Sequence, residues 1–168
     1  EQITRQYGRA RKRMAEAEAI AREHGLSSVL FEIYHADVSA ASAARDVAGA
    51  RAALERLRTV LNPARRMDAA YFKHQEAALL LLSGRPQEAA AASGEAVEIG
   101  REAGLPAMQL PHLMVLGAHA LLAAGRHEDA INRYEEAIAL AAPDDKRRFA
   151  WHRDLARAQF AITRGNEP

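Results

Sequence analysis

Four positions about one structural repeat apart hold Glu32, Tyr71, His112 and His152. Two parallel series, offset by seven and four residues, hold Ser39, Ala78, His119 and Gln159, and Ala36, Gln75, Leu116 and Ala156. Carboxylate, phenol, imidazole and amide recurring in this way suit hydrogen bonding to an extended peptide or a small polar ligand. The chain has seven histidines, which raises the question of a metal. His112 and His119 lie two helical turns apart and His152 follows one repeat on, but a seven-residue step is too wide for two-histidine chelation. No His/Glu pair has the spacing of a metalloprotease helix. We expect no metal and no cofactor. His35 and His74 occupy equivalent positions that hold Val115 and Leu155 later in the chain, so they are expected to be packing residues.

Other chemistry is weakly supported. Ser93-Gly94-Glu95 follows no strand and is no nucleophile elbow, and no glycine-rich phosphate loop occurs. Glu128 and Asp129 beside His127 belong to a helix start, where acids complement the dipole. No catalytic residue is assigned, and the chain is not expected to be an enzyme. The basic runs Arg9 to Arg13 and Lys146 to Arg148 are short, flanked by acids such as Glu16, Glu18, Asp144 and Asp145, and lack interleaved aromatics. They are expected to be solvated faces that do not bind nucleic acid.

The elements that carry these residues follow from a repeat of about forty residues. Alanine recurs at Ala10, Ala50, Ala89 and Ala130, and a glycine five positions before it recurs at Gly84, Gly125 and, one period on, Gly165. A period of this size marks stacked helical hairpins. Gly and Pro divide the chain into eight expected helices over 2 to 24, 27 to 44, 46 to 61, 65 to 83, 86 to 103, 107 to 124, 127 to 141 and 144 to 164. Ala21-Arg-Glu-His-Gly25-Leu and Gly100-Arg-Glu-Ala-Gly104-Leu are near copies two periods apart. Each fits a Schellman helix end with a left-handed glycine. Asn62-Pro63 and Ala142-Pro143 end the intervening helices, because the residue before proline avoids the α region. Ser27, Asp46 and Asp144 are expected N-caps, with Pro86 in a first turn.

The fold class is therefore all-α, a right-handed superhelix of antiparallel hairpins. One array spans 1–168, with a partial repeat at 1–24, hairpins at 27–61, 65–103 and 107–141, and a last helix at 144–164. An array that opens and closes within a repeat is expected to be a fragment of a longer protein, with ends able to self-associate. Composition agrees, since apolar residues make up 49% and aromatics only 5%, which leaves Ala and Leu to build a helical interior. A net charge of +1 gives no global field for nucleic acid or an anionic membrane. The chain has no cysteine, which excludes disulfides and thiolate sites and fits a reducing, cytoplasmic setting. No apolar run reaches membrane-spanning length, so no insertion is expected. Glu1 to Arg13 has no apolar segment of the signal-peptide kind.

Gly125-Arg-His-Glu-Asp-Ala130, followed by Tyr134, Ala137, Ile138 and Pro143, resembles the second helix of a tetratricopeptide repeat. The 84 to 103 stretch keeps Gly84, Ala89, Ala96 and Val97 but has Ser93 at the usual aromatic position. The 45 to 61 stretch keeps Ala50 and Leu54 but has Leu57 at the second small position. Small residues bring two helices close, and Tyr134, Leu54 and Met14 are expected to fill the space between hairpins. Long Ala/Leu-rich hairpins of this period are also similar to the sensor arrays of MalT-type bacterial ATP-dependent transcription regulators. The resemblance implies a concave groove lined by first helices, and hence a binding face of Glu32, Tyr71, Gln75, His112, His119, His152 and Gln159. A rotated phase stays open. In it the columns Tyr34, Lys73, Met114, Asp154 and Asp37, Glu76, Gly117, Arg157 line the open face and the histidines move to a flank. The expected function is a scaffold that binds a protein or peptide within a larger signalling or regulatory chain. The alternative is a small-molecule inducer sensor in an ATP-dependent regulator.

Overall fold

The structure, a computed structural model, describes the backbone of residues 2–165 and the side chains of residues 12–163. Ala10 and the first part of the Arg9 to Arg13 run lie outside the described side chains. Eight α-helices follow one another: α1 (Gln2–Glu23), α2 (Ser27–Ala43), α3 (Val47–Thr59), α4 (Arg66–Leu82), α5 (Pro86–Glu102), α6 (Leu110–Ala123), α7 (His127–Leu140) and α8 (Arg148–Gly165). A 3₁₀ turn over Ala107–Gln109 leads into α6. Among the described residues there is no strand, and no helix is long and apolar enough to cross a membrane. The chain divides into two compact units, 1–62 and 63–168.

Within each unit helices pack on their neighbours in sequence, α1 on α2 on α3, and α4 through α8 in order, with α4 also touching α6. The connections are short because five helix ends share one chemistry. Gly25, Gly84, Gly104 and Gly125 take positive φ, and Arg45 does the same at 57°. At each of them the next amide reaches back to the last turn: Leu26 to Ala21, Asp46 to Ala41, Arg85 to Leu80, Leu105 to Gly100 and Arg126 to Leu121, at 2.8 to 3.0 Å. This is the Schellman closure, which satisfies carbonyls that the helix end leaves open. α3 and α7 stop before their prolines instead, Ala141 being extended with ψ 143°.

Ala50, Ala89 and Ala130 are each the fourth residue of their helix and are all fully buried. Each opens an apolar seam at helical spacing: Ala50, Ala53, Leu54 and Leu57 on α3; Ala89, Ala92, Ser93, Ala96 and Val97 on α5; Ala130, Tyr134, Ala137 and Ile138 on α7. In the second unit these seams close on Leu110, Leu113, Met114 and Leu121 of α6 and Trp151 of α8. Burying a side chain of this kind contributes about 1.5–3 kcal/mol.

Several expectations need correction. Asp46 does cap α3, accepting from the Gly49 amide at 2.9 Å. Ser27, however, is the first residue of α2 rather than its cap. Asp144 caps nothing, because α8 begins at Arg148 after a turn in which Asp145 accepts from the Arg147 amide. Met14, expected to fill an interior space, is 37% exposed. Ser93 replaces an aromatic because α6 comes close there: its hydroxyl donates to the Leu113 carbonyl at 2.9 Å. A Cβ on Gly117 would stand only 2.8 Å from the Ser93 hydroxyl oxygen.

Candidate functional site

The first helices of the second unit's hairpins, α4 and α6, and the closing helix α8 carry the candidate residues. Ring contacts and hydrogen bonds tie these helices together. His74 on α4 is buried, and its ring meets His112 of α6 with centroids 4.7 Å apart. Close by, the Tyr71 hydroxyl donates to Gln109 Oε1 at 3.3 Å, spanning from α4 to the turn that starts α6. His119, two turns beyond His112, has Nε2 3.3 Å from Asp154 Oδ2 of α8. The same imidazole presents an edge contact to Tyr134 of α7, centroids 5.7 Å apart.

Exposure separates the candidates. His112, His152 and Gln159 are exposed, Tyr71 and His119 are half-buried, and Gln75 is only 4% exposed. Gln75 therefore sits beneath the surface that its neighbours form. Glu32 is exposed on α2, in the first unit. Its neighbour His35 is half-buried and stacks near Phe31, and burial lowers its pKa. This matches the packing role expected of His35 and His74.

The charged columns, the exposed Arg157 excepted, turn into the seams between helices. In the first unit, Arg56 of α3 pairs with Asp37 of α2 at 2.8 Å and lies over the Tyr34 ring. The buried Tyr34 hydroxyl donates to Glu18 of α1 at 2.9 Å and accepts from Arg22 at 2.7 Å. In the second unit, Lys73 of α4 lies 2.9 Å from Glu76 and 3.0 Å from Glu95 of α5. Hydrogen bonds to these two carboxylates raise its pKa. Met114 is fully buried in the same column. These side chains thus bridge neighbouring helices, while most of the imidazole and amide columns look outward.

Asp154 is the group that sequence reasoning did not connect to the histidines. Beyond His119 it receives Arg153 and Arg157, each at 3.4 Å, and it faces the buried phenol of Tyr134. Its spacing gave no clue, because the five-residue step from it to Gln159, the column partner of His119, turns about 140° around the helix. The contact with His119 is what marks its side of α8 as the one that meets α6. Among the described residues no group of three or more His, Asp or Glu side chains is arranged to hold a metal ion. Two open concavities of about 390 and 370 Å³ lie elsewhere, one against Gly125, His127 and Ile162, the other against Gln87, Leu121 and Asn132. Compared with protein-family models and with curated proteins, the chain matches none.

Proposed function

We propose that the second unit is a non-catalytic recognition module that binds an extended segment of a partner protein across α4, α6 and α8. The observation that carries this reading is the set of polar links across these helices, Tyr71 to Gln109, His74 to His112 and His119 to Asp154, with His112 exposed and Tyr71 and His119 half-buried. Imidazole and phenol groups provide donors, acceptors and apolar contact area from rings with few rotatable bonds, so ordering them costs little. Two open concavities of the unit lie away from these rings, and the rings themselves lie along helix surfaces, which favours an extended ligand over an enclosed small molecule. The resemblance of the Gly125 to Pro143 stretch to a tetratricopeptide repeat supports the same reading, and in it the unit serves as a scaffold within a larger signalling or regulatory chain.

The test is titration of a partner captured with the full-length protein against wild type and Tyr71→Ala combined with His112→Ala, with matched melting curves. The double variant should bind at least tenfold more weakly while remaining folded. Equal affinity in a folded double variant would reject this face.

A further inference from the structure

The side of α8 turned away from the core has a second character. Phe149, Ala156 and Phe160 fall in line along it, since steps of seven and four residues return to one side of a helix. Phe149 is 80% exposed and Phe160 60%, whereas Trp151 and Ala158 on the opposite side are buried. The two rings are about 16 Å apart along the helix axis, at ~1.5 Å per residue. Arg153 and Arg157 flank one edge of the stripe and His152 the other, all three exposed.

Charge on this side is unbalanced. Arg153 and Arg157 both lean on Asp154 at 3.4 Å, and His119 takes the same carboxylate at 3.3 Å. By contrast, Arg85, Arg126 and Arg147 pair with Glu88, Asp129 and Asp145 respectively. Two guanidiniums sharing one partly buried carboxylate leave the outward side positive, with two large aromatic rings beside them. Exposed aromatics next to arginine are the composition of an interface centre.

We infer that this side of α8 docks an acidic amphipathic helix of another protein, one with apolar side chains along one face and Asp or Glu on its flanks. The apolar face covers Phe149 and Phe160, and the carboxylates meet Arg153 and Arg157. A second copy of the chain is disfavoured, because pairing two such sides brings four guanidiniums together without adding a carboxylate beyond those already shared. The stripe is also narrow for a membrane-lying helix, whose apolar face is broad.

The test uses the whole chain and two fluorescein-labelled 18-residue helical peptides. Both have leucines at positions 4, 8, 11 and 15, and their flanks are glutamate in one and lysine in the other. The glutamate peptide should bind at least tenfold more tightly than the lysine peptide, and more weakly as salt rises. Phe149→Ala with Phe160→Ala should weaken it at least tenfold, and Arg153→Glu with Arg157→Glu should invert the preference. Melting curves identify folded variants, and the single changes Phe149→Ser and Arg157→Glu serve if a double variant does not fold. The inference is overturned by no binding, by equal affinity for both peptides, or by a folded variant that leaves affinity unchanged. It is equally overturned if the phenylalanine changes instead abolish self-association in sedimentation or binding to phosphatidylserine vesicles. Tyr71→Ala with His112→Ala should leave peptide binding intact, so this docking surface and the histidine face can fail separately.

Discussion

Arg45 stands where the two later repeats have Gly84 and Gly125, and it adopts the same left-handed backbone, with φ 57°. A side chain there is strained in a way that glycine is not. Arg45→Gly should therefore stabilise the chain by about 0.5–1 kcal/mol, visible as a raised thermal midpoint, and a lowered midpoint would show that the arginine side chain contributes more than its backbone costs. Tyr134 offers a test of opposite kind. Its ring is fully buried, and its hydroxyl has no hydrogen-bond partner among the described residues. Burial, with Asp154 adding, raises its pKa above the ordinary 10.0. The unfolded phenol therefore ionises at a pH where the folded one stays protonated. The resulting stability is complete below pH 10 and is lost as pH rises beyond it, at up to ~1.4 kcal/mol per pH unit. Tyr134→Phe should flatten that alkaline decline and leave stability at pH 7 unchanged or raised by about 1 kcal/mol. Tyr134→Ala should cost about 3–5 kcal/mol through the cavity it leaves. Urea denaturation from pH 7 to 11 reads all three chains, and an alkaline slope identical in wild type and Tyr134→Phe would remove the assignment.

Helix ends were the most legible elements, because Gly25, Gly84, Gly104, Gly125 and the two prolines act locally and leave the backbone little choice. Arg45 was illegible for the same reason: it takes the glycine conformation without the glycine. Caps were read less well, since Ser27 and Asp144 have the right side chains but are not where the helices start. The fit between helices depends on pairs, and a single sequence position does not reveal its partner. Ser93 looked like a defect in the repeat until Gly117 and the Leu113 carbonyl were seen against it. The alanine register lies between these cases, its spacing readable and its purpose visible only in the packing. Ala89→Phe or Ala130→Phe should overpack a seam that has no room and destabilise the chain by roughly 1–3 kcal/mol. Denaturant midpoints unchanged by both would mean that these seams can open to admit a ring.

At the scale of the molecule, the forty-residue period read from the sequence says which residues occupy equivalent positions, and hence which of them recur along a face. Tyr71 and His112 were grouped that way, and they do lie on neighbouring helices. Asp154 was assigned to a different column, since periodicity ranks residues by phase and is blind to a contact made across phases, such as that with His119. The period also hides unevenness in how the chain is divided. Every member of the large apolar cluster, from Ala70 to Ala158, belongs to the unit 63–168, and α4 to α8 pack on one another in order. Helices that contact only their neighbours need no distant part of the chain to complete a core. A piece comprising residues 63–168 should therefore fold alone, giving a helical circular dichroism spectrum and a cooperative thermal transition. The piece 1–62 has three helices and a smaller interior of Phe31, Tyr34, Val38, Leu54 and Leu57. At that size a domain buries too little surface to be more than marginally stable, so it should melt at a lower temperature and with a shallower transition. If 63–168 lost its cooperative melt while the whole chain kept one, its core would depend on the first 62 residues.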